Sequence, residues 1–297
     1  MRKEQTCMDI RNFAEIVSRS VSERLGNGCQ IKLQEIMKNN GVILQGLVIL
    51  REEYNLSPTI YLNSFLQAYE AGLSLERITD RILELYEKGV HEKNLDVSFF
   101  RNFDAVKEKI CYRLVNREKN HALLERIPHL DFLDLSVCFY YAYQDDQIGD
   151  GSILIYHSHL EMWGCECEDL MQYAMENTQR LHPFRVCKMQ DMLTNCVPPD
   201  VEVPMLVLTT MQMTYGASCM LYPHIFEKLS QQIGENFYLI PSSIHEMLLL
   251  PEKEERDISV LLSMIREINK TQVEPEDVLS DNLYFYDISE EKIQIFR

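Results

Sequence analysis

Three short segments hold the residue types that do chemistry. In YHSHLEMWGCEC, His157 and His159 alternate along what reads as an extended segment, and Glu161 continues the alternation. Residues two apart on a strand face the same side, so the three could converge. Cys165 and Cys167 follow closely. Imidazole, carboxylate and thiolate are all zinc ligands, so the chemistry would be metal-dependent hydrolysis with His157, His159 and Glu161 as ligands. A single Cys-x-Cys pair does not make a structural zinc site, which uses two separated pairs. The competing reading, which we favour, puts the histidines at a strand-to-helix connection with Trp163 packing into the core.

In SSIHEMLLLP, Ser242 and Ser243 stand beside His245 and Glu246, a nucleophile next to a base. Ser243, His245 and Glu246 are therefore the candidate catalytic residues. The segment lacks a Gly-x-Ser-x-Gly elbow, and position 249 is Leu249, so no His-Glu-x-x-His is completed. A Pro-Ser-Ser turn between two strands is the reading we favour. QDDQIGDG, residues 144–151, clusters three carboxylates with two glycines. A calcium loop needs acids at alternate positions and a distant Glu; Asp146 and Asp150 are four apart, so a hairpin turn is expected instead. No Gly-x-Gly-x-x-Gly and no Gly-Lys-Ser/Thr loop occurs, so neither nucleotide-dependent chemistry nor a cofactor is expected.

Composition narrows the class. The 297 residues are 46% hydrophobic, enough for a sizeable core and against global disorder. No apolar run nears the roughly 18 residues of a membrane span. The N-terminus has charges but no apolar stretch of the secretory kind. Nine scattered cysteines, an odd number, read as small buried hydrophobes in a reducing compartment rather than a disulfide framework. A cytoplasmic protein is expected. Its net charge is −17, from 29 bases and 46 acids, and the acidity is uneven: from Asp131 to Arg180 there are ten acids and one base. Such a surface repels phosphate backbones, so direct nucleic-acid binding is not expected. It suits a basic protein partner, a cation, or mimicry of DNA charge; the competing reading, which we favour, is a solvated acidic face that keeps the protein soluble.

The elements that would position these residues follow from periodicity. Met8 to Leu25 carries an apolar helix stripe, stopped by Gly26. Cys29 to Lys38 and Val42 to Leu50 read as strands joined by an Asn-Gly turn. Helices are expected from Asn63 to Ala71 and from Ser74 to Lys88, and a short one from Asn102 to Lys109. Ile110 to Val115, Phe132 to Tyr143, Ser152 to Tyr156, Phe184 to Cys187 and Met205 to Leu208 read as strands, with a helix from Cys165 to Leu181. Pro223 opens a helix that ends at Gly234. A hairpin of Phe237 to Ile240 with Ile244 to Leu249, a helix from Asp257 to Ile268, and a terminal pair of Leu283 to Ile288 with Ile293 to Phe296 complete the chain. This mixed order lacks regular strand-helix alternation. It predicts an α+β fold of mostly antiparallel sheets with packed helices. A boundary near residues 90–125 would separate an N-terminal region, 1–100, from a C-terminal region, 101–297; a single domain is also allowed.

NNGVILQGLVILREEYNLSPTIYLNSFLQAYEAG, YGASCMLYP and FYLIPSSIHEMLLLP resemble an uncharacterised family of cytosolic proteins from gut-type clostridial Firmicutes. SILIYHSHLEMWGCECEDLMQYAMENTQRL is more distantly similar to a second uncharacterised bacterial family. These resemblances imply a bacterial cytosolic protein and assign no activity, cofactor or residue role. The HSH segment also resembles the His-Ser-His-Pro centre of JAMM-type metalloproteases, but Leu160, Cys167 and Leu170 stand where that motif has Pro, Ser and an acid. The expected function is therefore a non-catalytic, cytosolic protein that works through protein contacts, with the acidic stretch as its surface. The alternatives are a metal-dependent hydrolase centred on His157 and His159, and a DNA-mimicking inhibitor.

Overall fold

A computed structural model of the chain describes residues 8–26, 28–53, 55, 57–90, 98–145, 149–192, 205–252 and 257–296. They fall into two compact units: the described residues up to 38 and from 42 to 90 form the first, and residues 39–41 with the described residues from 98 onward form the second.

The first unit packs helices on a small sheet. Helix α1 (Ile10–Leu25) buries Phe13, Ala14, Val17 and Val21, the i, i+4, i+8 stripe of an amphipathic helix. Strands β1 (Gln30–Met37), β2 (Ile43–Leu50) and β3 (Thr59–Tyr61) form an antiparallel sheet in that order. Helices α2 (Asn63–Glu70) and α3 (Leu75–Gly89) follow. Ser74 caps α3 by accepting the Arg77 N–H, which satisfies one of the donors a helix start leaves open. Ile78, Ile82 and Tyr86 of α3 share one core with Phe13, Val17, Leu47, Ile49 and Ile60.

The second unit has two antiparallel sheets. Short α4 (Phe103–Val106) leads to β4 (Ile110–Asn116), and short α5 (His121–Leu124) leads to β5 (His129–Phe132), β6 (Leu135–Tyr143) and β7 (Gly151–Leu154). Strand β6 is central: β4 lies on one side, and β5 and then β7 pair along the other. Helices α6 (His157–Trp163) and α7 (Cys167–Leu181) come next, then β8 (Phe184–Lys188), α8 (Met189–Met192), β9 (Leu206–Thr210) and α9 (Ile225–Ile233). Strands β10 (Phe237–Ser243) and β11 (Glu246–Pro251), helix α10 (Ile258–Thr271), and strands β12 (Leu283–Asp287) and β13 (Lys292–Phe296) close the chain. The larger sheet runs β13-β12-β10-β11-β9-β8, antiparallel throughout. Its inner face and that of the β4–β7 sheet share a core that includes Tyr112, Phe139, Leu170, Cys219, Leu239 and Tyr284. Helix α10 covers the other face through Ile265, against Tyr238, Leu283 and Phe285. The fold is α+β, as the element order predicts.

Two expectations are corrected. The single strand Phe132 to Tyr143 is a hairpin of β5 and β6 that turns at Leu133 and Asp134. Leu133 sits in the left-handed region, φ 54°. No glycine announces that turn. Asp134 holds it by accepting from Ser280 Oγ (2.6 Å), Asn282 Nδ2 (2.9 Å) and the Tyr284 hydroxyl (2.6 Å). The Pro-Ser-Ser turn is the second: β10 continues through Pro241 with a register shift, and Ile244 and His245 make the turn. A proline is tolerated in a strand at such an irregularity.

Candidate functional site

The strand expected to align His157, His159 and Glu161 ends at Leu154, and all three lie on α6. Each helical residue turns by about 100°, so residues two apart face away from each other. Glu161 shares a face with His157 instead. The N-cap explains the switch from strand to helix: His159 Nδ1 accepts the Tyr156 N–H at 3.1 Å. The His159 ring packs edge-on against Phe100 at 5.1 Å and lies 5.6 Å from Trp163. Burial holds its pKa below the usual imidazole value. Trp163 Nε1 donates to the Phe100 carbonyl at 2.8 Å. Burial, with help from neighbouring carboxylates, pushes the thiols of Cys165 and Cys167 up, the latter to about 11. Among the described residues no group of three His, Cys, Asp or Glu side chains is placed to hold a metal ion. Of QDDQIGDG, residues 146–148 lie outside the described residues; the flanks close through the Gly149 N–H and the Asp145 carbonyl at 2.8 Å.

Ser243 and His245 do join a polar cluster, with partners distant in sequence. The Ser243 hydroxyl is buried and accepts the His245 backbone N–H at 3.1 Å. Ser242 shares the strand, and its side chain lies outside the described set. The His245 ring stacks on Tyr215, with centroids 5.9 Å apart and planes 13° apart. Its Nδ1 accepts the Tyr215 backbone N–H at 3.3 Å. That bond assigns the ring proton to Nε2, 3.3 Å from Asp277 Oδ1. The Tyr215 hydroxyl accepts from Arg113 Nη1 at 2.9 Å, and the guanidinium lies 5.1 Å from the Tyr215 ring centroid. Such a cation over a ring adds electrostatic attraction. Glu246 pairs with Ser243 across the strands. Among the described residues no ion pair joins its carboxylate to the cluster.

The backbone around Tyr215 is strained. Met213 and Tyr215 have φ of 56° and 52°, a region a bulky residue rarely adopts. Thr210 holds the loop from both sides: its Oγ1 donates to the Thr214 carbonyl (3.0 Å) and accepts the Thr214 N–H (3.1 Å). Thr209 Oγ1 donates to the His245 carbonyl at 2.7 Å. Both ring nitrogens of His245 are occupied, and the Ser243 hydroxyl faces a backbone amide rather than the ring. The arrangement therefore locks a loop onto a strand end and does not assemble the nucleophile-and-base pair that the sequence suggests.

Beside this cluster lies a cavity of about 260 Å³ between β6, β7 and the 211–215 loop, lined by residues that include Tyr140, Tyr143, Asp150, His182, Gln212 and Tyr215. Among the described residues neither ring nitrogen of His182 makes a well-formed hydrogen bond, although the Gln212 side chain lies against the ring, and both are shielded from solvent. Burial holds the His182 pKa below its usual value, opposed by Gln212 and by the Asp150 carboxylate. The Gln212 amide itself donates to the Leu181 carbonyl at 3.2 Å. Sequence reasoning misses Arg113, His182, Tyr215 and Asp277: they span more than 160 positions and share no spacing.

The acidic stretch divides by role. Asp131 pairs with Arg117 at 3.0 Å, and Asp134 holds the β5–β6 turn. Asp169 Oδ2 accepts the Glu166 N–H at 2.9 Å and so caps α7. Glu161, Glu168 and Glu176 are exposed on α6 and α7.

No curated protein and no solved structure matches this chain. The profile of one family does, over residues 10–288, which run through both compact units. The chain belongs to that family, a family of unknown function (DUF5688).

Proposed function

We propose that the protein works by contact rather than by turnover, holding a basic partner protein against the exposed acidic face of α6 and α7. The observation that carries this reading is the set of carboxylates Glu161, Glu168 and Glu176. None of them forms an ion pair among the described residues. Arg180, the one base of the stretch, is turned to the Glu108 carbonyl (2.6 Å) and Asn177 Oδ1 (2.9 Å). Met162 and Met175 are 45% and 39% exposed on the same helices. Flexible thioethers among carboxylates suit a basic amphipathic surface. The committed geometry of Ser243 and His245 supports the non-catalytic side of the reading. Free thiols at all seven described cysteines support a reducing, cytoplasmic setting. Among the described residues no helix is long and apolar enough to cross a membrane.

The test is the triple variant Glu161→Gln, Glu168→Gln and Glu176→Gln, which spares the capping residues Glu166 and Asp169. A basic protein that co-purifies with the natural chain should be lost from the variant and should dissociate as salt rises. An unchanged partner set sinks the proposal. Competition by duplex DNA for the same partner would shift it toward mimicry of nucleic-acid charge.

A further inference from the structure

The cavity beside β6 is built like a small-ligand site and owes nothing to the α6–α7 face. Its volume of about 260 Å³ falls just below the roughly 300–1,000 Å³ range of drug-sized pockets, so its occupant is small. Tyr140 and Tyr215 pack on each other, 5.4 Å between centroids, and Tyr215 also carries His245 and Arg113, so the half-buried Tyr143 is the aromatic wall left for a ligand. An aromatic wall favours a flat ring that stacks. The His182 ring, 6.3 Å from Tyr140, brings one donor and one acceptor for which the described residues supply no well-formed hydrogen bond. Buried polar atoms are normally paired; both nitrogens are shielded from solvent as the chain stands, with Gln212 on the pocket wall against the ring. Gln212 is exposed; its amide donates to the Leu181 carbonyl at 3.2 Å and its side chain also lies against His182, so a ligand reaches the imidazole by displacing Gln212. The pocket's charge selects against anions: Asp150 lines it, and the nearby cation, Arg113, is engaged by Tyr215.

We propose that this pocket binds a small uncharged nitrogen heteroaromatic, a free nucleobase or nucleoside, with its ring against Tyr143 and its polar edge against His182. The loop that carries Gln212 and Tyr215 is then the gate of the site. The same loop is pinned through Tyr215 to His245, so occupancy is felt at the β10–β11 turn.

The test is calorimetric titration of the full-length chain with adenosine, hypoxanthine and uracil, with AMP as an anionic comparator. Two variants accompany it. His182→Phe keeps the ring and removes both nitrogens. Gly151→Phe fills the pocket: a Cβ at Gly151 meets no atom within 4 Å, and its backbone is not left-handed. The expected result is saturable one-to-one binding of at least one uncharged ligand, weakened at least about ten-fold in both variants. If His182→Phe does not fold, Gly151→Phe decides alone. The proposal is overturned by the absence of saturable binding to all three uncharged ligands, by binding that both variants retain, or by a preference for AMP over adenosine.

Discussion

A Cβ on Gly216 would stand 2.2 Å from the His245 carbonyl oxygen, 2.3 Å from Thr209 Oγ1 and 2.6 Å from Thr209 Cα. Two of those three neighbours are backbone and cannot yield, and the third, Thr209 Oγ1, is held by its bond to the His245 carbonyl. Gly216→Ala should therefore cost about 3 kcal/mol or more, the upper end of overpacking, while Gly151→Ala should be neutral. Urea denaturation of the two variants checks this; equal midpoints would show that the loop relaxes freely. His182 makes a second prediction. Its folded pKa lies below the ordinary value of about 6.5, so on acidification the unfolded chain takes up a proton before the folded one does. The stability it contributes is complete above about pH 6.5 and is lost as pH falls toward the folded pKa. His159 has the same sign. The melting temperature of the natural chain should drop more between about pH 7 and 5.5 than that of His182→Phe. An identical pH slope would remove His182 as a titrating group. At this scale the sequence is half legible. Ser243 and His245 stand out as chemistry-bearing residues, but their meaning depends on Tyr215 and Asp277, which only the folded chain brings near.

Strand β4 shows how elements protect one another. It pairs with β6 along one edge, leaving N–H groups open on the other, and an open edge invites intermolecular pairing. Thr178 Oγ1 of α7 accepts the Tyr112 N–H at 3.0 Å, and Ser218 Oγ accepts the Leu114 N–H at 3.2 Å. Thr178→Val keeps the shape and orphans one buried amide, which should cost about 1–3 kcal/mol. Amide exchange at Tyr112 should rise with it. Unchanged protection at Tyr112 would mean that the edge is covered some other way. The elements that periodicity reveals are the ones whose stripe is long: α1, α3 and α7, and the terminal pair β12 and β13. The segment at His157 misleads because four apolar residues, Ile153 to Tyr156 with Leu154 and Ile155, run straight into it. The cap that starts a helix there is a histidine nitrogen rather than a Ser or Asp oxygen. The turn at Leu133 is silent for a similar reason: its stabilising partners, Ser280, Asn282 and Tyr284, lie about 150 positions away.

The whole molecule carries a charge of −17, and salt should act on it with two opposite signs. The carboxylate–Lys/Arg ion pairs among the described residues, such as Arg11 with Glu35 and Arg24 with Asp80, are largely solvent-exposed. Pairs of that kind contribute little, so screening them loses little. Repulsion among the excess carboxylates opposes the compact state and is screened over about 10 Å at 0.1 M salt. The melting temperature should therefore rise between about 10 and 200 mM sodium chloride. Association with a basic partner depends on the same field as an attraction, so its on-rate should fall over the same range. Thermal melts and stopped-flow association on one protein preparation separate the two. A melting temperature that falls with salt would mean that the exposed pairs outweigh the excess charge.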